Sequence, residues 1–178
     1  MSSLVLTGDT SGQVTLAAPA VAGTNTITLA AQTGTLNAAG PAFSAYGSAL
    51  QSISNTTLTK IAFNTKIFDT NNNYDSTTNY RFTPTVAGYY LITASIGWNG
   101  SATGYTSINI YKNGSNAFNG GYVSNSSVGP VVTASSIFLA NGTTDYFEIY
   151  CAQSSGGALS GGSNGAPYTF SGCLIRGA

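Results

Sequence analysis

Residues 69–75 read DTNNNYD, the one stretch of this chain whose oxygen-bearing side chains are spaced as if to hold a metal ion. Asp69, Asn71, Asn73 and Asp75 occupy alternate positions, as do the first ligands of a helix–loop–helix calcium site. That site also needs Gly at its sixth position and a bidentate Glu at its twelfth, where this chain has Tyr74 and Tyr80. The flanks alternate like strands rather than helices. Asp and Asn side chains also bond neighbouring backbone groups in turns, so Asp69 and Asp75 are expected to shape a turn. No cofactor is expected, and calcium at Asp69 and Asp75 is the single alternative left open.

Other chemistry is scarce. The carboxylates are Asp9, Asp69, Asp75, Asp145 and Glu148, and the chain has no histidine. Glycoside hydrolysis would need two carboxyls about 5 to 9.5 Å apart. Asp145 and Glu148 share one expected strand at an odd spacing, which turns them to opposite faces, and each acid is expected to be solvated or in a turn. GGSNG at 161–165 has the letters of a nucleophile elbow but no histidine to act as its base. Cys151 and Cys173 lack zinc-site spacing and lie among apolar neighbours, so both are expected to be unpaired core residues. No Gly-rich phosphate loop precedes a Lys-Ser or Lys-Thr pair. No catalytic residue is assigned, and the protein is expected not to be an enzyme.

The cations Lys60, Lys66, Arg81, Lys112 and Arg176 cancel the acids and are too few to neutralise a nucleic-acid backbone. The opening MSSLVLTGD carries neither a basic leader nor a long apolar run, so neither secretion nor a membrane anchor is expected, and synthesis in a cytoplasm is. The five Asn-x-Ser/Thr triplets then follow from composition alone.

What must position these residues is a β-protein. Charged residues make up 6% of the chain, against about 25% in ordinary soluble proteins. Such a surface is usually covered. Ser, Thr, Asn and Gly supply the polarity, which favours strands and turns over helices. Residues 1–40 contain no aromatic side chain, and VTLAA at 14–18 recurs as ITLAA at 27–31. This extended β-rich arm has a thin apolar face, and association with other arms or another protein would have to offset its ordering entropy.

From residue 41 to 178 the texture changes to short aromatic runs between turns, with Asn-Gly at 99, 113, 119, 141 and 164 as hairpin signals. Strands are expected over 43–46, 60–64, 80–84, 89–98, 105–112, 131–139, 145–152 and 168–176. Tyr90, Ile92, Ala94, Ile96 and Trp98 share one face of the fourth. The segments 115–130 and 153–167 are expected to be long loops at the ends of a β-sandwich.

The segments FSAY, KIAFNTKIFDTNNNYDSTTNYRFTPTVAGYYLITASI, INIYKNG, SIFLANGTTDYFEIY and YTFSGCLIRG follow one another in a familiar order. Residues 41–178 resemble the globular head of complement C1q and its tumour necrosis factor relatives. The resemblance implies a ten-stranded jelly roll that assembles as a homotrimer. Cys173 stands where those relatives commonly carry an aromatic residue, which bears on local core packing. The arm is similar to segments near the start of bacteriophage fibre and decoration proteins.

Together these resemblances imply a non-enzymatic bacteriophage structural protein on the virion surface. The arm would dock on the major capsid protein or another virion protein. Forty extended residues reach at most about 140 Å, too short for a long shaft, which favours a capsid decoration or cement role. The alternative is the receptor-binding tip of a short tail fibre or head fibre that engages host glycans. Its candidate contacts are Tyr105, Tyr122, Asn125 and Asn164, beside Gly-rich turns, whereas Tyr46, Tyr89, Tyr90, Trp98, Tyr111 and Phe147 are expected in the core or at the trimer axis.

Overall fold

A computed structural model of the chain describes residues 3–7, 11–17, 40–100, 102–162 and 168–178. The chain divides into two compact units, Met1–Gly34 and Thr35–Ala178. In the first, β1 (Ser3–Thr7) and β2 (Gln13–Ala17) pair antiparallel, from Ser3 opposite Ala17 to Thr7 opposite Gln13. Val5 and Leu6 are exposed on this hairpin. The repeat at 27–31 lies outside the described residues.

The second unit is a sandwich of two antiparallel sheets. Its strands are, in order, β3 (Ala42–Tyr46), β4 (Gln51–Ile53), β5 (Thr59–Lys60), β6 (Thr65–Asp69), β7 (Tyr74–Asp75), β8 (Arg81–Phe82) and β9 (Gly88–Asn99). There follow β10 (Ala102–Lys112), β11 (Ser115–Ser126), β12 (Val131–Ala140), β13 (Phe147–Gln153), β14 (Leu159–Gly161) and β15 (Tyr168–Gly177). One sheet runs β4-β14-β9-β15-β3-β6 with β12 also on β9, and the other runs β11-β10-β13-β8-β7 with β5 also on β13. The chain crosses between sheets from β4 to β5, β5 to β6, β6 to β7, β8 to β9, β9 to β10, β11 to β12, β12 to β13 and β13 to β14. That nesting of β9 against β12 and β10 against β13 is a jelly roll.

Alternation builds the core. Tyr90, Ile92, Ala94, Ile96 and Trp98 of β9 are all buried, as expected, and they face Ile108, Ile110, Phe147, Ile149 and Cys151 of the second sheet. Phe43 stacks on Tyr74 and Phe82 with centroids 4.8 and 4.3 Å away, and Phe170 meets it edge-on at 4.8 Å. Buried tyrosines place their hydroxyls on carbonyls: Tyr74 donates to Phe63 O at 2.9 Å and Tyr90 to Val86 O at 2.7 Å. Burial pushes the Tyr90 phenol up to about 12 and the Cys151 thiol well above its usual range.

Several expected elements come out differently. Residues 115–130 are mostly strand, because β11 runs to Ser126 beside β10, and within 153–167 the short β14 pairs with β4 and β9. Of 60–64 only Lys60 is in a strand. Ile61 and Phe63 are still buried, with the backbone held irregularly by Ile61 N–H on Ile149 O and Ala62 N–H on the Gln51 amide. Strand 80–84 shrinks to Arg81–Phe82.

The Asn-Gly signals divide. Asn113 (φ 54°) and Gly114 (φ 76°) form the two-residue turn from β10 to β11, where both central residues need positive φ. Asn119-Gly120 instead lies within β11, at a register shift against β10. A Cβ on Gly120 would stand 2.5 Å from Ala134 Cβ and 2.8 Å from Ile108 O, so glycine lets β11 pass close over β12. Cys151 and Cys173 are unpaired. Cys151 is core, but Cys173, opposite Leu91 and Ala42, is half-buried on the outward side of its sheet, which corrects the expectation for it.

Candidate functional site

The carboxylates of 69–75 are used by turns. Asp69 Oδ1 accepts from the Asn73 amide at 2.9 Å, and Oδ2 from the Tyr74 amide at 3.0 Å and Lys66 Nζ at 3.1 Å. Asp75 Oδ1 accepts from the amides of Thr77 and Thr78, and Oδ2 from the amide and side chain of Asn79. The Thr78 and Thr77 amides, with Asn79, hold the Asp75 carboxyl well below the usual range. N–H groups that converge on these oxygens would also converge on a cation in their place. Among the described residues no group of three His, Cys, Asp or Glu is arranged to hold a metal ion. A shallow polar hollow beside this turn is lined by Lys66, Asn72, Asp75, Asn79 and Arg81.

The remaining described charges are mostly neutralised within the fold. Lys112 Nζ lies 2.9 Å from Asp145, whose other oxygen accepts from Asn113 Nδ2 at 2.7 Å. The Asn113 bond, with Lys112 and the Asn141 amide, lowers the Asp145 pKa. Arg81 stacks on the Tyr146 ring at 4.4 Å. Glu148 corrects the expectation of a solvated acid. It is 4% exposed and sits 2.6 Å from Lys60 Nζ. Pairing of β5 with β13 brings Lys60 opposite Tyr150, and a carboxylate this buried requires a cation beside it.

Surface with few charges is left on the outward sides of both sheets. On the first sheet the registers set outward residues in rows. Leu139 and Tyr89 form one, and Ile137, Leu91, Cys173 and Ala42 the next. A hydroxyl row follows, Ser135, Thr93, Ser171 and Ser44, with Ser44 and Ser171 Oγ 2.9 Å apart. Tyr46 and Phe68 continue the face on β3 and β6. Ile137 is 58% exposed, and Tyr46, Phe68, Tyr89 and Leu139 are exposed too. Arg176, opposite Tyr89 at the rim, is the one charged residue facing outward in these rows among the described residues. Sequence reasoning did not single out Ile137 or Leu139. Their signal was present in VVTASSIFL, where both parities of the strand carry apolar side chains, the pattern of a strand covered on two faces.

On the second sheet the outward residues of β10 are Tyr105, Ser107, Asn109 and Tyr111. Those of β11 are Asn116, Asn119, Tyr122 and Ser124. Tyr122 is 64% exposed and stacks on Tyr105 with centroids 5.2 Å apart and planes 17° apart. Tyr111 lies on this face, half-buried 4.3 Å from the Tyr150 ring, and so is not a core residue. Tyr46 and Tyr89 likewise lie outside the core, on the exposed first-sheet face. Asn125 is exposed at the end of β11 with φ 51°, and Asn164 lies outside the described residues. Tyr105, Tyr122 and Asn125 are therefore carried on strands rather than on a loop. Asn109, Asn116 and Asn119 were missed, although the alternation Tyr-Ser-Asn-Tyr at 105, 107, 109 and 111 already placed Asn109 on the tyrosines' side.

The same fold is found in solved structures. The globular domain of zebrafish complement 1qA protein is 21% identical, with a TM-score of 0.57, over 78% of this chain and 99% of its own. Murine APRIL is 9% identical at a TM-score of 0.60, over 77% of this chain and 100% of its own. The vertex protein P5 of phage PRD1 is 18% identical at a TM-score of 0.57, over 77% of this chain and 98% of its own. Comparison with curated protein sequences returned no match. The C1q domain family profile matches residues 42–175, and this chain belongs to the C1q domain family.

Proposed function

We propose that the protein is a non-enzymatic, homotrimeric structural protein of the virion surface. The observation that carries this reading is the outward face of the first sheet. It spans β12, β9, β15, β3 and β6, is lined by Leu, Ile, Tyr, Ser and Thr, and holds one charge at its rim. An exposed apolar face of this breadth marks a protein contact. The homotrimer implied by the C1q and tumour necrosis factor resemblance supplies two further copies to cover it. The fold shared with a phage vertex protein supports a place on a virus particle. In this reading residues 1–40 attach the trimer to the parent particle and the knob points outward, as capsid decoration.

Locating and counting the protein on intact virions by electron microscopy tests the assignment. Several hundred chains on the head fit decoration. A few dozen or fewer at the vertices or the tail fit the fibre-tip alternative, and absence from purified particles overturns both.

A further inference from the structure

We infer that the outward face of β10 and β11 is a binding surface for a neutral oligosaccharide. This surface is separate from the face assigned to self-association, so the two readings stand or fall independently.

The chemistry of the face selects the ligand. Its eight paired outward positions hold only tyrosine, asparagine and serine, with no aliphatic side chain among them, whereas the first sheet's outward face carries Leu91, Leu139 and Ile137. A protein surface packing here would find little aliphatic area. An ionic ligand would find no free counter-charge, because Lys112 is bound to Asp145 and Lys60 to Glu148. A sugar presents apolar C–H patches beside hydroxyls that both donate and accept. Tyrosine rings match the patches, and asparagine amides, each with a donor and an acceptor end, match the hydroxyls.

Some of these groups also hold one another before any ligand arrives. Tyr105 supports the Tyr122 ring from one side and leaves the other exposed. Asn116 Nδ2 donates to Asn119 Oδ1 at 2.7 Å, which fixes the amide of Asn119 beside Asn109. Tyr105 and Tyr111 are six residues apart on β10, or about 20 Å at the usual strand rise, so the two tyrosine pairs bracket the amides over an oligosaccharide's length. Ordering these groups in advance lowers the entropy lost on binding.

The test uses the full chain against immobilised neutral oligosaccharides of glucose, galactose, mannose and N-acetylglucosamine, with sialylated and sulfated glycans alongside. We expect retention on at least one neutral oligosaccharide. Tyr122→Ala should weaken it about tenfold or more, and Tyr122→Phe, which keeps the ring, by much less. Light scattering on the same samples checks that the assembly is unchanged, and if Tyr122→Ala alters it, Asn109→Ala carries the comparison. Binding confined to acidic glycans, no retention at millimolar sugar, or retention indifferent to these substitutions would overturn the inference.

Discussion

Thr106 is fully buried on β10, and its Oγ1 has no hydrogen-bond partner among the described residues. A hydroxyl in that state is destabilising, while valine has nearly the same shape. Thr106→Val is therefore expected to stabilise the fold by about 1 kcal/mol, read as a higher urea midpoint at unchanged slope. Asp145 works in the other direction. Its folded-state pKa is depressed, so the stability it contributes is complete above the ordinary carboxylate pKa and is lost as pH falls through the folded value. Urea midpoints should hold steady from neutrality to about pH 4 and then drop, since aspartate ordinarily titrates near there. In Asp145→Asn that acid-side drop should be smaller. The roles of Asp69 and Asp75 as turn formers were legible in the sequence, because Tyr74 and Tyr80 occupy two obligatory calcium-loop positions. The burial of Glu148 was not, since it depends on Lys60, 88 residues away.

Elements carry the next constraint. β11 reads as a loop by composition, being rich in Asn, Ser and Gly, yet it is one of the longest strands. Pairing with β10 decides this, since the Asn113-Gly114 turn starts the hairpin and its register shifts absorb the extra residues. Gly120 must then pass β12 with no room for a methyl group. Gly120→Ala should cost about 1–3 kcal/mol through forced backbone shifts, whereas Gly157→Ala, where a Cβ meets nothing within 4 Å, should change stability little. Thermal or urea denaturation of the two variants makes the comparison. β9 shows the opposite case: burial alternates strictly from Gly88 to Ile96, each buried side chain foreseeable, because both its neighbours and its core lie on faces set by parity.

At the scale of the whole molecule, the prediction is an assembly. Native mass measurement should give three times the 18.1 kDa chain mass, and the value should persist in high salt, because the proposed face holds almost no charge to be screened. Ile137→Asp with Leu139→Asp should yield a folded smaller species, since both side chains point away from the core. Deletion of residues 1–40 should leave the assembly intact and abolish attachment to the particle, a difference that sedimentation with virions would show. A folded 18.1 kDa monomer of the full chain at micromolar concentration would refute the self-association reading. The sequence by itself determined the β class, the alternating core of β9, the poverty of charge and the lack of histidine, because composition and period-two parity are local properties. Only the tertiary structure decided which outward rows become continuous faces, that one is aliphatic and the other tyrosine and amide, and that Glu148 is buried against Lys60. Each of those depends on registers between strands far apart in the chain, and register is set by packing rather than by neighbours in sequence.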